Sequence, residues 1–223
     1  MSPFERHHII APGHSTLKHP VDWKSAQSDL AERCSRMRAL IARYPFELKS
    51  RGDPFETLVR SIVGQQISVK AADAVWHRLS QAFVITPVVL AESDNEGLRQ
   101  CGLSLRKCEY IRDLAGHFAD GRIDPAHFPT MDDATLIALL TDVRGIGRWT
   151  AEMFLIFHLL RPDVWPIDDI GVQKGVAEIY VEELGGRRLT GGELREFGER
   201  FRPWRSVATW YLWRALDPVP VAY

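Results

Sequence analysis

Leu139-Leu140-Thr141-Asp142-Val143-Arg144-Gly145-Ile146-Gly147-Arg148-Trp149-Thr150-Ala151 is the stretch on which the fold turns. A run of apolar residues ends at Leu140, two glycines flank one apolar residue, and a second apolar-periodic run starts after Gly147. Glycine has no Cβ and reaches positive φ without penalty, so Gly145 and Gly147 predict a tight reversal between two helices. The second helix presents unpaired N–H groups at its start, where the positive end of the helix dipole favours an anion. A phosphate can sit there, and Arg144 and Arg148 add charge at the same place. Taken alone, Gly-x-Gly fits a plain turn between helices slightly better than it fits a phosphate grip.

On either side of this turn the apolar spacing is helical nearly everywhere. Phe55, Leu58, Val59, Ile62 and Val63 form the i, i+3, i+4, i+7, i+8 stripe, preceded by Asp53-Pro54-Phe55-Glu56 as an N-cap, a Pro at the first helical position and a carboxylate reaching back. Val69, Ala72, Trp76, Leu79 and Phe83 repeat the stripe after Ser68, which makes Gly64-Gln65-Gln66-Ile67 a tight bend between two helices. Further helices are expected over 26–42, 105–118, 133–140, 148–160, 170–180, 193–201 and 204–216, with a capping box at Thr190 to Glu193. Alternation of the strand kind is almost absent; its best instance, 83–90, is interrupted by Pro87. The expected fold is all-α, with 1–24 as a tail or strap and 25–223 as the helical domain.

Composition agrees with a folded globular chain. Its 223 residues, 45% of them hydrophobic, can bury a real core, and 28 basic against 29 acidic residues leave a formal charge of -1. Any basic face is therefore local. Cys34, Cys101 and Cys108 form neither a disulfide framework nor a C-x-x-C metal pair, which points to a reducing, cytoplasmic setting. The longest strongly apolar stretch, 153–160, is far short of the roughly 20 residues that span a bilayer. His7, His8, His14 and His19 crowd the N-terminus without ligand spacing, and His158 sits in an apolar helix, so none reads as a metal ligand.

A second stretch, Val164-Trp165-Pro166-Ile167-Asp168-Asp169-Ile170-Gly171-Val172, places paired acids at the head of a helix. One Asp there is ordinarily an N-cap; two exceed what a cap needs. If Asp169 faces a groove beside the turn, its carboxylate lies near a nucleotide's sugar, where an oxocarbenium-like transition state wants negative charge. Unit charges about 4 Å apart at an effective dielectric near 20 interact by roughly 4 kcal/mol, about a thousandfold in rate.

Gly-Ile-Gly-Arg-Trp-Thr-Ala, Pro-Ile-Asp-Asp-Ile-Gly and Phe-Glu-Thr-Leu-Val-Arg-Ser-Ile-Val-Gly-Gln-Gln-Ile-Ser together resemble the helix-hairpin-helix (HhH-GPD) DNA glycosylases, most closely the AlkA-type 3-methyladenine DNA glycosylase II branch. The resemblance spans about 55–216 and implies two helical subdomains with a cleft between them. It places the catalytic aspartate on Asp169 and the DNA contacts of the hairpin on Gly145, Gly147, Arg148 and Thr150. A structural monovalent cation, sodium or potassium, would be held by the carbonyls of Thr141, Val143 and Ile146. Gln66 would fill the gap left by an extruded nucleotide, with Gln65 beside it. Trp149, Met153, Ile170 and Trp213 would wall the base pocket, Met153 standing where the better-known pattern has Tyr.

The same resemblance implies a monofunctional hydrolase. Relatives that also cut the backbone carry a Schiff-base lysine where this chain has Trp149, and the iron–sulfur branch needs four thiolates where no Cys follows Cys108. A cationic alkylated purine stacks on an indole with about 1 to 2 kcal/mol, and its charge makes it a good leaving group. With only 54 residues ahead of Phe55, no N-terminal β domain is expected. Trp204 reads as core, and Lys174, Arg187, Arg188, Arg200, Arg202 and Arg205 as solvated surface, some of it lining a DNA track. The expected partner is duplex DNA bearing alkylated bases, engaged by a monomer without membrane contact. A related glycosylase for mismatched or oxidised bases, or a non-catalytic DNA-binding module, stays open at this point.

Overall fold

The computed structural model describes residues 20–45, 47–50 and 52–217. Among them the chain forms α1 (Trp23–Arg33), α2 (Ser35–Arg43), α3 (Pro54–Gly64), α4 (Val69–Ala82), α5 (Pro87–Glu92), α6 (Asn95–Gln100) and α7 (Leu105–Ala119). There follow α8 (Asp133–Thr141), α9 (Arg148–Phe157), α10 (Ile170–Ile179), α11 (Val181–Leu184), α12 (Gly191–Gly198) and α13 (Arg205–Leu216). Two 3-10 turns, Pro125–Thr130 and Glu199–Phe201, complete the described secondary structure, which contains no strand. The all-α expectation holds.

Most helix starts follow from local chemistry. The Asp53 carboxylate accepts from the Glu56 amide with Pro54 at the first helical position, Ser68 caps α4, and Thr190 and Glu193 close the expected capping box. The sequence expectations fail where periodicity is too short to read or is overridden. The helix expected over 26–42 is broken at Cys34, whose backbone is extended (φ -140°, ψ 112°) while its thiol lies 3.3 Å from the Tyr180 hydroxyl. Pro87 starts α5 rather than interrupting a strand, because proline suits the first turn of a helix. The helix expected over 148–160 stops at Phe157, and Leu160 takes a positive φ of 53°. Asp22 caps α1, so the boundary set at residue 24 falls inside that helix, and the Val21 amide pairs with the Leu160 carbonyl. The expected tail otherwise lies outside the described residues, as do His7, His8, His14 and His19.

The buried apolar side chains fall into two clusters. One gathers Phe55, Leu58, Ile62, Leu114, Leu140 and Phe154 with their neighbours from α3 to α9. The other gathers Trp23, Met37, Val176, Phe197 and Tyr211 from α1, α2, α10, α12 and α13. Each fully buried side chain of this size contributes about 1.5 to 3 kcal/mol, offset by the conformational entropy lost on ordering the helices. Phe157 and Trp213 pack against both, their rings stacked with centroids 5.3 Å apart and planes 8° from parallel. The seam between the clusters is therefore aromatic, and α9, α10 and α13 meet along it.

Candidate active site

Asp169 stands at that seam as the N-cap of α10 and is only 8% exposed. Its Oδ1 accepts from the Val172 amide at 2.7 Å and from the Trp213 indole N–H at 2.8 Å; its Oδ2 accepts from the Trp149 indole N–H at 2.8 Å. All three donors are neutral, and Asp169 makes no ion pair among the described residues. The carboxylate is thus fixed in orientation while its charge stays uncompensated. Three of the roughly four acceptor positions of a carboxylate are used, which leaves one on Oδ2.

Of the two acids at the head of this helix, Asp169 is also the one that caps α10, and Asp168 is exposed. The physical reason is register: the residue immediately before the first helical position has the extended backbone that aims its side chain at the amide three residues on.

The four residues expected to wall a pocket are brought together unequally. Trp149 is 43% and Ile170 67% exposed, and both flank the carboxylate as open apolar surface. Trp213 is half-buried on the Phe157 ring. Met153 is 6% exposed and belongs to the first core, one turn along α9 from Trp149, rather than lining open space. Gly171 was missed in the sequence: a Cβ there would stand 2.7 Å from Trp213 Cδ1 and 3.0 Å from Asp169 Oδ1. Only glycine lets the indole reach the carboxylate.

The hairpin lies at the other end of Trp149. Gly145 takes φ +87°, as expected, but Gly147 does not need positive φ: it is extended (φ -87°, ψ 170°) and serves as the N-cap of α9 without a side-chain cap. A side chain at 147 would meet no protein atom, so its absence leaves the head of α9 open. The first paired amide of α9 is that of Ala151, which leaves the N–H groups of Arg148, Trp149 and Thr150 at the positive end of the helix dipole. Arg148 is largely exposed, yet its Nε donates to Glu152 Oε1 at 2.9 Å. Glu152 is buried; burial pushes its carboxyl up, and the Arg148 guanidinium opposes that rise.

The bend after α3 holds Gln66 exposed in the left-handed region (φ 59°), a conformation costing a non-glycine residue of order 1 kcal/mol. Gln65, expected at the DNA beside it, is instead turned inward, its Nε2 donating to the Gly145 carbonyl at 2.8 Å. Lys107 of α7 donates to the Val63 and Gln65 carbonyls, both at 2.7 Å, and burial lowers its amine below the usual lysine range. Nothing local in the sequence marks Lys107, because its partners lie 44 and 42 residues away.

Of the cations read as solvated surface, some of it lining a DNA track, Arg187, Arg200, Arg202 and Arg205 are paired with Glu193, Glu183, Asp163 and Glu199. Trp204 is half-buried, donating to Asp29 Oδ2 at 2.8 Å while packing on the second core. His158 lies 3.1 Å from the Thr57 hydroxyl and stacks on Phe154, as a structural residue does. No group of three or more metal-ligating side chains occurs among the described residues, and no helix there is long and apolar enough to cross a membrane.

Comparison with known proteins gives these observations a context. Residues 59–191 match the family described as HhH-GPD superfamily base excision DNA repair protein. The chain is 34% identical, over 84% of its length and 83% of the relative's, to DNA-3-methyladenine glycosylase 1 of Schizosaccharomyces pombe. Its backbone resembles the crystal structure of a DNA-3-methyladenine glycosidase from Bacillus halodurans (TM-score 0.77, 36% identity, 88% of this chain and 90% of that one). It also resembles a Schizosaccharomyces pombe 3-methyladenine DNA glycosylase in complex with abasic DNA (TM-score 0.72, 30% identity, 88% of this chain and 100% of that one).

Proposed function

The chain belongs to the HhH-GPD superfamily of base excision DNA repair proteins, and we propose that it excises alkylated bases from duplex DNA by hydrolysing the N-glycosidic bond. The observation that carries this reading is the uncompensated Asp169 carboxylate, clamped by two indoles and one amide next to a helix start open to phosphate. The α9 amides grip the backbone, the damaged nucleotide swings out, and its sugar meets Asp169. As the base departs with its electron pair, positive charge grows on the sugar and the fixed anion stabilises it. Water whose O–H is accepted at the remaining position of Oδ2 adds to the sugar cation and gives up that proton to the carboxylate, which passes it on to solvent. Trp149 offers no amine for a Schiff base, so the reaction ends at the abasic site without strand cleavage. The exposed faces of Trp149 and Ile170 beside the carboxylate suit an electron-poor alkylated purine.

Thr141, Val143 and Ile146 suit a monovalent cation: their contribution is neutral carbonyls at the negative end of α8, while the Thr141 hydroxyl is spent on Ile137 and the Asp142 carboxylate faces His117. Bound there, the ion would screen the approaching phosphate. The protein acts as a monomer on DNA in the cytoplasm. Incubation with methylated duplex DNA is expected to release 3-methyladenine and 7-methylguanine, identified by chromatography, with no borohydride-trapped adduct. Release from mismatched or 8-oxoguanine duplexes in their place would reassign the substrate, and duplex binding without any release would leave only a DNA-binding module.

A second expectation tests the clamp. Gly171→Ala forces the Trp213 indole off Oδ1, and base release by the folded protein should fall about tenfold, roughly 1.4 kcal/mol, alongside a loss of about 1 to 3 kcal/mol of stability as the ring shifts on Phe157. A rate within twofold of the parent would show that the Trp213 contact is dispensable.

A further inference from the structure

The helix α7 presents one stripe, Lys107, Tyr110 and Asp113, at i, i+3 and i+6, and each member touches a different part of the DNA-facing surface. Lys107 holds the Val63 and Gln65 carbonyls at the end of α3, where the helix leaves acceptors without intrahelical partners. The Tyr110 ring lies where a Cβ on Gly145 would be, so it seats the hairpin glycine. The Asp113 carboxylate accepts from the Arg144 amide at 2.8 Å. Across the top, the Gln65 side chain ties the bend directly to the Gly145 carbonyl. The bend that carries Gln66 and the hairpin that grips phosphate are thereby fastened to one rigid helix and to each other.

We propose that α7 acts as a brace setting the spacing between the Gln66 wedge and the hairpin, and that Lys107 is a positioning residue for insertion of the wedge into the duplex. This rests on the reading of the protein as a base-extruding enzyme. Gln66 is exposed in a costly conformation, and an exposed side chain in a left-handed bend stays aimed only if the backbone on either side is held. The Lys107 ammonium supplies that hold at the negative end of α3, partly out of water, where a charged hydrogen bond is stronger than a neutral one. Without it, the bend relaxes while the α9 amides still bind phosphate. Lys107 thus affects how far the duplex is opened, not how tightly it is bound.

The test uses a duplex with a tetrahydrofuran abasic analogue and 2-aminopurine as the adjacent base, whose fluorescence rises when it is unstacked. The parent protein is expected to raise that signal on binding. Lys107→Met should keep its Kd within threefold and lose about fivefold of the rise, and Lys107→Arg should restore most of it. Gln65→Glu, which sets a carboxylate oxygen against the Gly145 carbonyl, should lose the rise in the same way, so the inference stays testable if Lys107→Met does not fold. A full rise in Lys107→Met, a loss matched by lost binding, or no rise with the parent protein would each overturn the brace. A parent protein that unstacks the probe yet frees no methylated base would leave the brace standing and refute the glycosylase reading instead.

Discussion

Asp169→Asn should lower single-turnover base release by about a thousandfold while leaving duplex affinity equal to the parent's or better. The loss follows from the charge: about 4 kcal/mol of attraction between the carboxylate and a sugar cation some 4 Å away disappears. Asparagine remains a good N-cap, so α10 keeps its start and the protein should stay folded at the assay temperature. The amide nitrogen adds a second insult, because one N–H must now face an indole or backbone N–H that previously found an acceptor. Affinity does not suffer, since an anion near phosphates has been removed. Asp168→Asn is the contrast; exposed and uninvolved in the cap, it should leave release within threefold. Release from Asp169→Asn within tenfold of the parent would take the aspartate out of the mechanism.

Gly145→Ala is expected to destabilise the protein by about 3 kcal/mol, combining a left-handed backbone with a Cβ driven into the Tyr110 ring. For a chain of this size that corresponds to roughly 6 to 12 °C in Tm. Duplex affinity should fall at least tenfold as well, because a backbone shifted at Gly145 carries with it the open amides at the start of α9 that receive phosphate. Gly147→Ala separates the two effects. Its backbone is extended and the space before it is empty of protein, so melting should be unchanged while affinity falls, the new methyl standing where phosphate approaches. Thermal melting and fluorescence anisotropy with a short duplex measure both. Equal losses of stability at the two glycines would contradict the assignment.

What was legible in the sequence was local. Asp53, Ser68 and Thr190 cap helices because each needs only an amide three residues ahead. Gly145 permits the hairpin because its own φ requires it, and the apolar stripes define helices because a 3.6-residue period is a property of the chain itself. Cys34 and Pro87 misled, the one because a single extended residue breaks the helix while the apolar spacing runs on past it, the other because a six-residue helix has no period to read.

The chemistry of the site is of the other kind. Asp169 could be singled out as an acid at a helix head, but its clamp is made with Trp149 and Trp213, separated from it by 20 and 44 residues, and the Gly171 that admits Trp213 looks unremarked beside any helical glycine. Gln65 reaches Gly145 across 80 residues, and Lys107 reaches the bend across more than 40. Caps and periods are decided by neighbours along the chain and so can be read from it. Which neutral donors meet an anion, and which amine holds a bend, is decided by how two apolar clusters pack α9, α10 and α13 along one seam and α7 beneath the hairpin, and only the folded chain brings those groups within bonding distance.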